Sequence, residues 1–297
     1  MEVTHPDRVL FPDDGITKGD VVDYYRRVAP VMVPHLRNRP LMLERYRSGI
    51  DHGGFFQKEA SEYFPAEIRR VEVDKAGGVV HHAVVDDEDG LVYLANQGCL
   101  TFHCWTARAD RPHQPDRVVF DLDPPAVDGA FATVRSTALR LRDVLTRLGL
   151  VPFVQTTGSR GLHVVAPLVV GPDHGEVLRF AGAVADHLAA ADPARLTTEF
   201  RKARRGSRLY LDVARNGYAQ TVVAPYSLRA RPGAPAATPL DWDEVRATRL
   251  RPDRWTVGNL FRRLGAKADP WRGMARHARP LPEAWARLDS LTAIRAS

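Results

Sequence analysis

The segment Val118-Val119-Phe120-Asp121-Leu122-Asp123-Pro124-Pro125 limits what this chain can become more than any other feature. Its apolar start makes Arg117–Asp123 a strand, and the two prolines stop it, since proline lacks the N–H that a ladder requires. Side chains alternate along a strand, so Asp121 and Asp123 share one face while Phe120 and Leu122 point into a core. Two carboxylates on one face of a buried strand repel each other and lose hydration. A divalent cation resolves both problems, and Mg²⁺ or Mn²⁺ prefers such oxygen ligands. The competing reading is a loop-entry Asp pair that caps the next helix. A third acid, Asp212, sits in Leu209-Tyr210-Leu211-Asp212-Val213, a strand otherwise suited to burial, where a lone carboxylate is costly unless paired or metal-bound. Three strand-borne carboxylates suit two-metal phosphoryl transfer.

Between these acids lies Thr156-Thr157-Gly158-Ser159-Arg160-Gly161-Leu162-His163. Its two glycines allow a tight turn whose N–H groups can face an anion. Ser159, Arg160 and His163 could add a hydroxyl, a guanidinium and an imidazole donor for phosphates. An ordinary hairpin turn with an inward histidine is the alternative. The chain has no G-x-x-x-x-G-K-[ST], no G-x-G-x-x-G and no G-x-S-x-G, so P-loop chemistry, dinucleotide binding and serine hydrolysis have no support.

Elsewhere, Thr17-Lys18-Gly19-Asp20 reads as a capping box, followed by Val21, Val22, Tyr25, Val28 and Met32 at helical spacing, with Pro30 and Pro34 expected to kink or end the helix. Val79–Val85 and Leu91–Ala95 read as paired strands around the acidic turn 86–90. A helix is expected over 131–148 with Gly149 as its stop, and another over 175–191. Strands are expected at 151–156 and 162–168 around the glycine turn, and at 208–213 and 220–224 joined across Asn216-Gly217. After the Pro/Ala loop 231–239 come short helical pieces closed by Gly265. The pattern is α+β or mixed α/β with a mainly antiparallel sheet, without a clean linker.

The formal charge is +6 with pI near 9.5, which favours a polyanionic partner. Only five of the 42 basic residues are lysines, so arginine does much of lysine's work here. Basic residues crowd 195–208 and 246–254, as nucleic-acid contacts or as solvated faces. Cys99 and Cys104 cannot build a disulfide framework, lack a second ligand pair at zinc spacing, and read as strand or core residues in a reducing cytosol. The N-terminus carries no signal-peptide pattern, and the apolar windows are about half the ~20 residues a membrane helix requires.

F-D-L-D-P-P, T-G-S-R-G-L-H and L-Y-L-D-V, in that order and spacing, resemble the three motifs of archaeo-eukaryotic primase-type polymerases. The chain is most similar to the polymerase domain of bacterial non-homologous end-joining DNA ligase D. That resemblance extends through T-H-P-D-R-V-L-F-P, G-I-T-K-G-D-V-V-D-Y-Y, G-F-F-Q-K, L-A-N-Q-G-C-L-T-F-H and A-P-Y-S-L-R, from Val3 to about Arg263.

The resemblance implies a single primase-polymerase domain over 1–297: an RNA-recognition-like antiparallel sheet bearing the acids, plus an N-terminal α/β layer. It implies that Asp121, Asp123 and Asp212 hold two Mn²⁺ or Mg²⁺ ions. Ser159, Arg160 and His163 would grip the nucleoside triphosphate, helped by Arg229 and His103. Phe55 and Phe56 would stack on template or nucleotide bases, the competing reading being core aromatics. Lys18, at the N-terminus of its helix, would bind a downstream 5′-phosphate with Arg8 and His5. Arg8 and Arg160 stand where lysine is common, His5 where a neutral amide occurs, and Glu44 where a basic residue occurs. The implied activity is template-directed nucleotidyl transfer filling gaps at DNA breaks, with a preference for ribonucleotides and Mn²⁺. Ku and a ligase are implied partners in a bacterial, cytoplasmic, nucleoid-associated setting. No K-x-D-G ligase nucleophile region is present, so sealing is expected from elsewhere. A metal-dependent nuclease or phosphohydrolase and a non-catalytic nucleic-acid-binding module are the rival functions.

Overall fold

The computed structural model describes residues 2–127 and 129–296, with side chains through residue 290. The fold is α+β and divides into two compact units. One comprises Met1–Pro112, Thr221–Thr238 and Asp253–Asp269, the other His113–Gln220, Pro239–Pro252 and Pro270–Ser297. The chain passes repeatedly between them, which is why no single linker is legible.

The first unit opens with β1 (Val9–Phe11) and β2 (Ile16–Thr17), leading into α1 (Lys18–Leu36). The Thr17 hydroxyl accepts from the Asp20 N–H and the Asp20 carboxylate accepts from the Thr17 N–H, closing the expected capping box. Val21, Val22, Tyr25, Val28 and Met32 are buried. Of the expected kink or end, the end does not occur at Pro30 or Pro34; both lie one turn apart on the exposed side, where water can satisfy the carbonyls that lose a partner.

Next come β3 (Leu41–Arg45), β4 (Phe55–Gln57), β5 (Arg69–Lys75), β6 (Gly78–Val84), α2 (Glu88–Asn96) and β7 (Cys99–Trp105). Here the expected strand at 91–95 is corrected. Asp87 caps a helix by accepting from the Gly90 N–H, and Leu91, Leu94 and Ala95 bury one helical face. The strand at 78–84 pairs instead with β5. Cys99 and Cys104 are buried in β7, as core residues.

After β8 (Ala107–Arg108) and β9 (Arg111–Pro115), the second unit is built on β10 (Arg117–Asp123), α3 (Ala130–Arg147), β11 (Phe153–Thr156), β12 (Leu162–Pro167), α4 (His174–Ala191), β13 (Leu196–Thr197), α5 (Lys202–Arg205) and β14 (Leu209–Asp212). Helices α3 and α4 pack against β10. The chain returns to the first unit as β15 (Thr221–Val223), completing an antiparallel sheet in the order β15-β7-β3-β4. The strands at 209–212 and 221–223, joined across Asn216-Gly217, each belong to a different sheet. Then β16 (Pro239–Leu240) joins the second unit's sheet, which runs β13-β14-β10-β12-β11-β16 and is antiparallel except for β13 with β14. Among the described residues, α6 (Trp242–Arg246), α7 (Leu260–Ala266), which continues one residue past Gly265, and α8 (Leu281–Ala296) follow.

Candidate active site and nucleic-acid interface

Register places the acids. Asp121 on β10 stands directly opposite Asp212 on β14 and opposite His163 on β12, and His163 stands opposite Gln155 on β11. Directly opposed residues share a face, so Asp212, Asp121, His163 and Gln155 form one row across four strands. Asp123 lies two residues further along β10 on that face, opposite Tyr210.

Cations surround the row. Arg215 Nε lies 3.3 Å from Asp212 and 3.9 Å from Asp121. Asp123 is contacted by Arg160 at 3.1 Å and by Arg205 at 3.5 Å, and Arg205 also lies over the Tyr210 ring. His163 Nε2 is 3.5 Å from Asp121, while the Gln155 amide meets His163 Nδ1 at 3.3 Å. Burial pushes the Asp212 carboxyl above its ordinary range; Arg215 opposes the shift and the neighbouring Asp121 adds to it. Three carboxylates on one face make an oxygen-only donor set of the kind that fits a divalent cation. Among the described residues no three His, Cys, Asp or Glu side chains are gathered at metal-binding spacing, each of the three aspartates being drawn instead toward an arginine.

The glycine turn behaves partly as expected. Gly158 has a φ of +64°, and a Cβ on Gly161 would meet the Leu122 carbonyl oxygen, so both positions demand glycine. The Ser159 and Gly161 N–H groups are not aimed outward, however; both donate to the Thr157 hydroxyl. The turn thus offers side chains, with Arg160 already reaching Asp123. Sequence pattern alone marks Asn216 only as a turn residue. Its side chain donates to and accepts from the Val119 backbone at 2.7 and 2.8 Å, filling the ladder beside β10 where β14 departs.

The first unit gathers the other expected residues into two groups. His103 Nε2 lies 3.5 Å from Glu44, whose other oxygen accepts from the Tyr46 hydroxyl at 2.6 Å. Burial alone would raise the Glu44 carboxyl, but the His103 and Tyr46 hydrogen bonds and the charges of His103 and Arg229 hold it below its usual range. Phe55 and Phe56 are exposed on β4 at 42% and 63%, which removes the core reading for both. Adjacent strand residues face opposite ways. Phe55 lies near the Arg45 and Arg47 guanidiniums, and Phe56 meets His103 edge-on.

The second group is a cavity of about 280 Å³ whose lining includes His5, Arg8, Lys18, Arg45, Arg47 and Tyr63. The three residues expected around a 5′-phosphate thus share one pocket. Lys18 is 7% exposed and its ammonium donates to the Thr4 carbonyl and hydroxyl at 2.6 and 2.7 Å. Burial, and then the positive charge of Arg8, lower its pKa. The helix N–H groups do not supply that anion site: Lys18 and Gly19 N–H donate to the Arg8 and Pro6 carbonyls, and Asp20 N–H to Thr17.

The second unit's mainly antiparallel sheet thus aligns three aspartates with a histidine and an arginine-bearing turn on one face. The chain belongs to the family described as LigD, primase-polymerase domain, whose model matches residues 17–271. The multifunctional non-homologous end joining protein LigD of Mycolicibacterium smegmatis is 34% identical over 254 residues, covering 84% of this chain and 33% of that protein. The bifunctional non-homologous end joining protein LigD of Bacillus subtilis is 28% identical over 285 residues, covering 95% and 45%. The chain therefore spans a third to just under half of these relatives. Among solved structures, the polymerase domain from Mycobacterium tuberculosis ligase D in complex with DNA matches with a TM-score of 0.87 at 31% identity, covering 94% of this chain and 99% of that one. The family match begins at Thr17, after His5 and Arg8. Among the described residues no helix is long and apolar enough to cross a membrane.

Proposed function

We propose that this domain performs template-directed nucleotidyl transfer, filling gaps at DNA breaks during non-homologous end joining. The observation that carries the reading is the opposition of Asp121 and Asp212 across one ladder, with Asp123 and His163 on the same face. A primer 3′-hydroxyl would attack the α-phosphorus of a nucleoside triphosphate and displace pyrophosphate. Asp121, Asp123 and Asp212 would hold Mn²⁺ or Mg²⁺, which when bound supplies a more acidic hydroxyl and charge neutralisation on the departing phosphates. His163 would donate from Nε2 to the triphosphate, Arg160 and Ser159 would orient it, and Arg205 and Arg215 would exchange their carboxylate partners for phosphate oxygens. In the first unit, His103 and Arg229 would add nucleotide contacts, with Glu44 orienting the His103 ring. Phe55 and Phe56 would stack on bases from opposite faces of their strand.

The cavity around Lys18, Arg8 and His5 would take the 5′-phosphate at the far side of the gap. Nucleoside triphosphates, with ribonucleotides preferred, gapped or broken DNA, Ku and a ligase complete the proposed set of partners, in a nucleoid-associated setting. Incubating the protein with labelled primer–template, all nucleotides and either metal tests the reading. Lengthening of the primer supports it, and shortening would assign the acids to a nuclease instead.

A further inference from the structure

Tyr63 belongs to the wall of the Lys18 cavity, yet the residue is 57% exposed. Nothing about that exposure is loose. The Arg70 guanidinium donates to the carbonyls of Ser61, Glu62 and Phe64 at 3.1, 3.3 and 2.8 Å, clamping the turn that carries the tyrosine. The Gln57 amide donates to the Ser61 hydroxyl, and the Phe64 N–H closes the turn onto the Ser61 carbonyl. At the ring's far end, Arg45, itself only 3% exposed, donates to the Tyr63 hydroxyl at 2.9 Å and to Gln57 at 2.7 Å. The ring also meets buried Phe64 edge-on at 5.1 Å. A large aromatic held at its backbone, its edge and its hydroxyl, with its surface left to solvent beside four cations, is preorganised for a flat ligand.

We infer that Tyr63 is the stacking subsite for the 5′-terminal nucleoside of the downstream strand. This rests on the reading of the cavity as a 5′-phosphate site. The terminal base pair at a gap has one unstacked face, and the base lies one sugar away from the phosphate. With the phosphate between Arg8 and Lys18, the adjoining base is the aromatic surface nearest to hand, and stacking tolerates any of the four bases. Arg45 supports the platform by fixing the hydroxyl, a role that leaves the ring free to stack.

The test measures affinity by fluorescence anisotropy for single-gap duplexes with three downstream ends: a 5′-phosphate on an ordinary nucleotide, a 5′-phosphate on an abasic residue, and a 5′-hydroxyl. Wild type should lose about 5- to 100-fold on removal of the terminal base. Tyr63→Ala should lose a similar factor on the intact end and become indifferent to the base, while still preferring phosphate over hydroxyl. Tyr63→Phe should keep most of the base preference. Unaltered base preference in Tyr63→Ala, or equal losses in Tyr63→Phe and Tyr63→Ala, would overturn the stacking role while leaving the phosphate site standing. Equal wild-type affinity for phosphate and hydroxyl ends would instead remove the phosphate site, and the subsite with it.

Discussion

Asp121 and Asp212 are direct partners across the β10–β14 ladder, a pairing in which two like charges stand face to face and Arg215 reaches both. Like charges directly opposed destabilise a sheet. The arrangement is therefore a cost of the site to the fold, and it yields a prediction about stability as well as activity.

Asp212→Asn keeps the oxygen that accepts from the Ala214 N–H and removes the charge. Because burial raises the Asp212 pKa in the folded state above its ordinary 3.8, the folded protein binds more protons than the unfolded chain between those two values, so stability falls as pH rises through that window. Above it, ionised Asp212 is a net burden. The variant should melt at a higher temperature than wild type at pH 7, the gain vanishing below about pH 3.8, while nucleotide addition is lost. Calorimetry across pH checks the first half and primer extension the second.

Ser159→Ala and His163→Ala should each weaken nucleotide binding and catalysis by roughly 1–3 kcal/mol, the range for one well-placed phosphate contact. His163 should cost more, since it also faces Asp121. Nucleotide titration of each variant decides; unchanged affinity and rate in both would return the turn to a purely structural role.

Phe55→Ala and Phe56→Ala should leave the melting temperature close to wild type, because both side chains are exposed. At least one should reduce templated extension across gaps, by the equivalent of about 1–3 kcal/mol per stacked base. Differential scanning fluorimetry paired with gap-filling rates separates packing from stacking.

The preference for a 5′-phosphorylated gap should be bell-shaped in pH. Lys18 is a cation below its pKa, which burial and Arg8 set lower than the ordinary 10.5, so the preference should fall as pH rises through that lowered value. At the acid end it should weaken below about pH 6, where the phosphate loses its second charge. Lys18→Ala should remove most of the preference, and wild-type preference should shrink as salt rises. Binding titrations over pH and salt measure all three.

Local chemistry was legible and long-range chemistry was not. The alternation in 118–123 set two acids on one face, and the Thr17-x-x-Asp20 spacing set the start of α1, because both patterns act within a few residues. The identity of Asp121's partner depended on register across about ninety residues of chain, which no local pattern encodes. Arg205 belongs to a basic run that suits nucleic-acid contacts or a solvated face equally, and Arg215 stands in no run at all; only the fold brings both to carboxylates. The walls of the Lys18 cavity come from as far apart as Thr4 and Gly98, so Tyr63 and Arg45 carried no signal in sequence. The apolar run 91–95 was short enough to suit either period, and the cap at Asp87 decided it as a helix. The prolines in α1 misled because their consequence depends on which side of the helix meets water.

The most direct test of the account is single-nucleotide addition to a gapped duplex with each of the four template bases, in Mn²⁺ and in Mg²⁺, by wild type and by Asp212→Asn. Wild type should add the nucleotide complementary to the template base in at least one metal, and the folded variant should add none. Addition by Asp212→Asn at near wild-type rates, or failure of folded wild type to add any nucleotide in either metal, would contradict it.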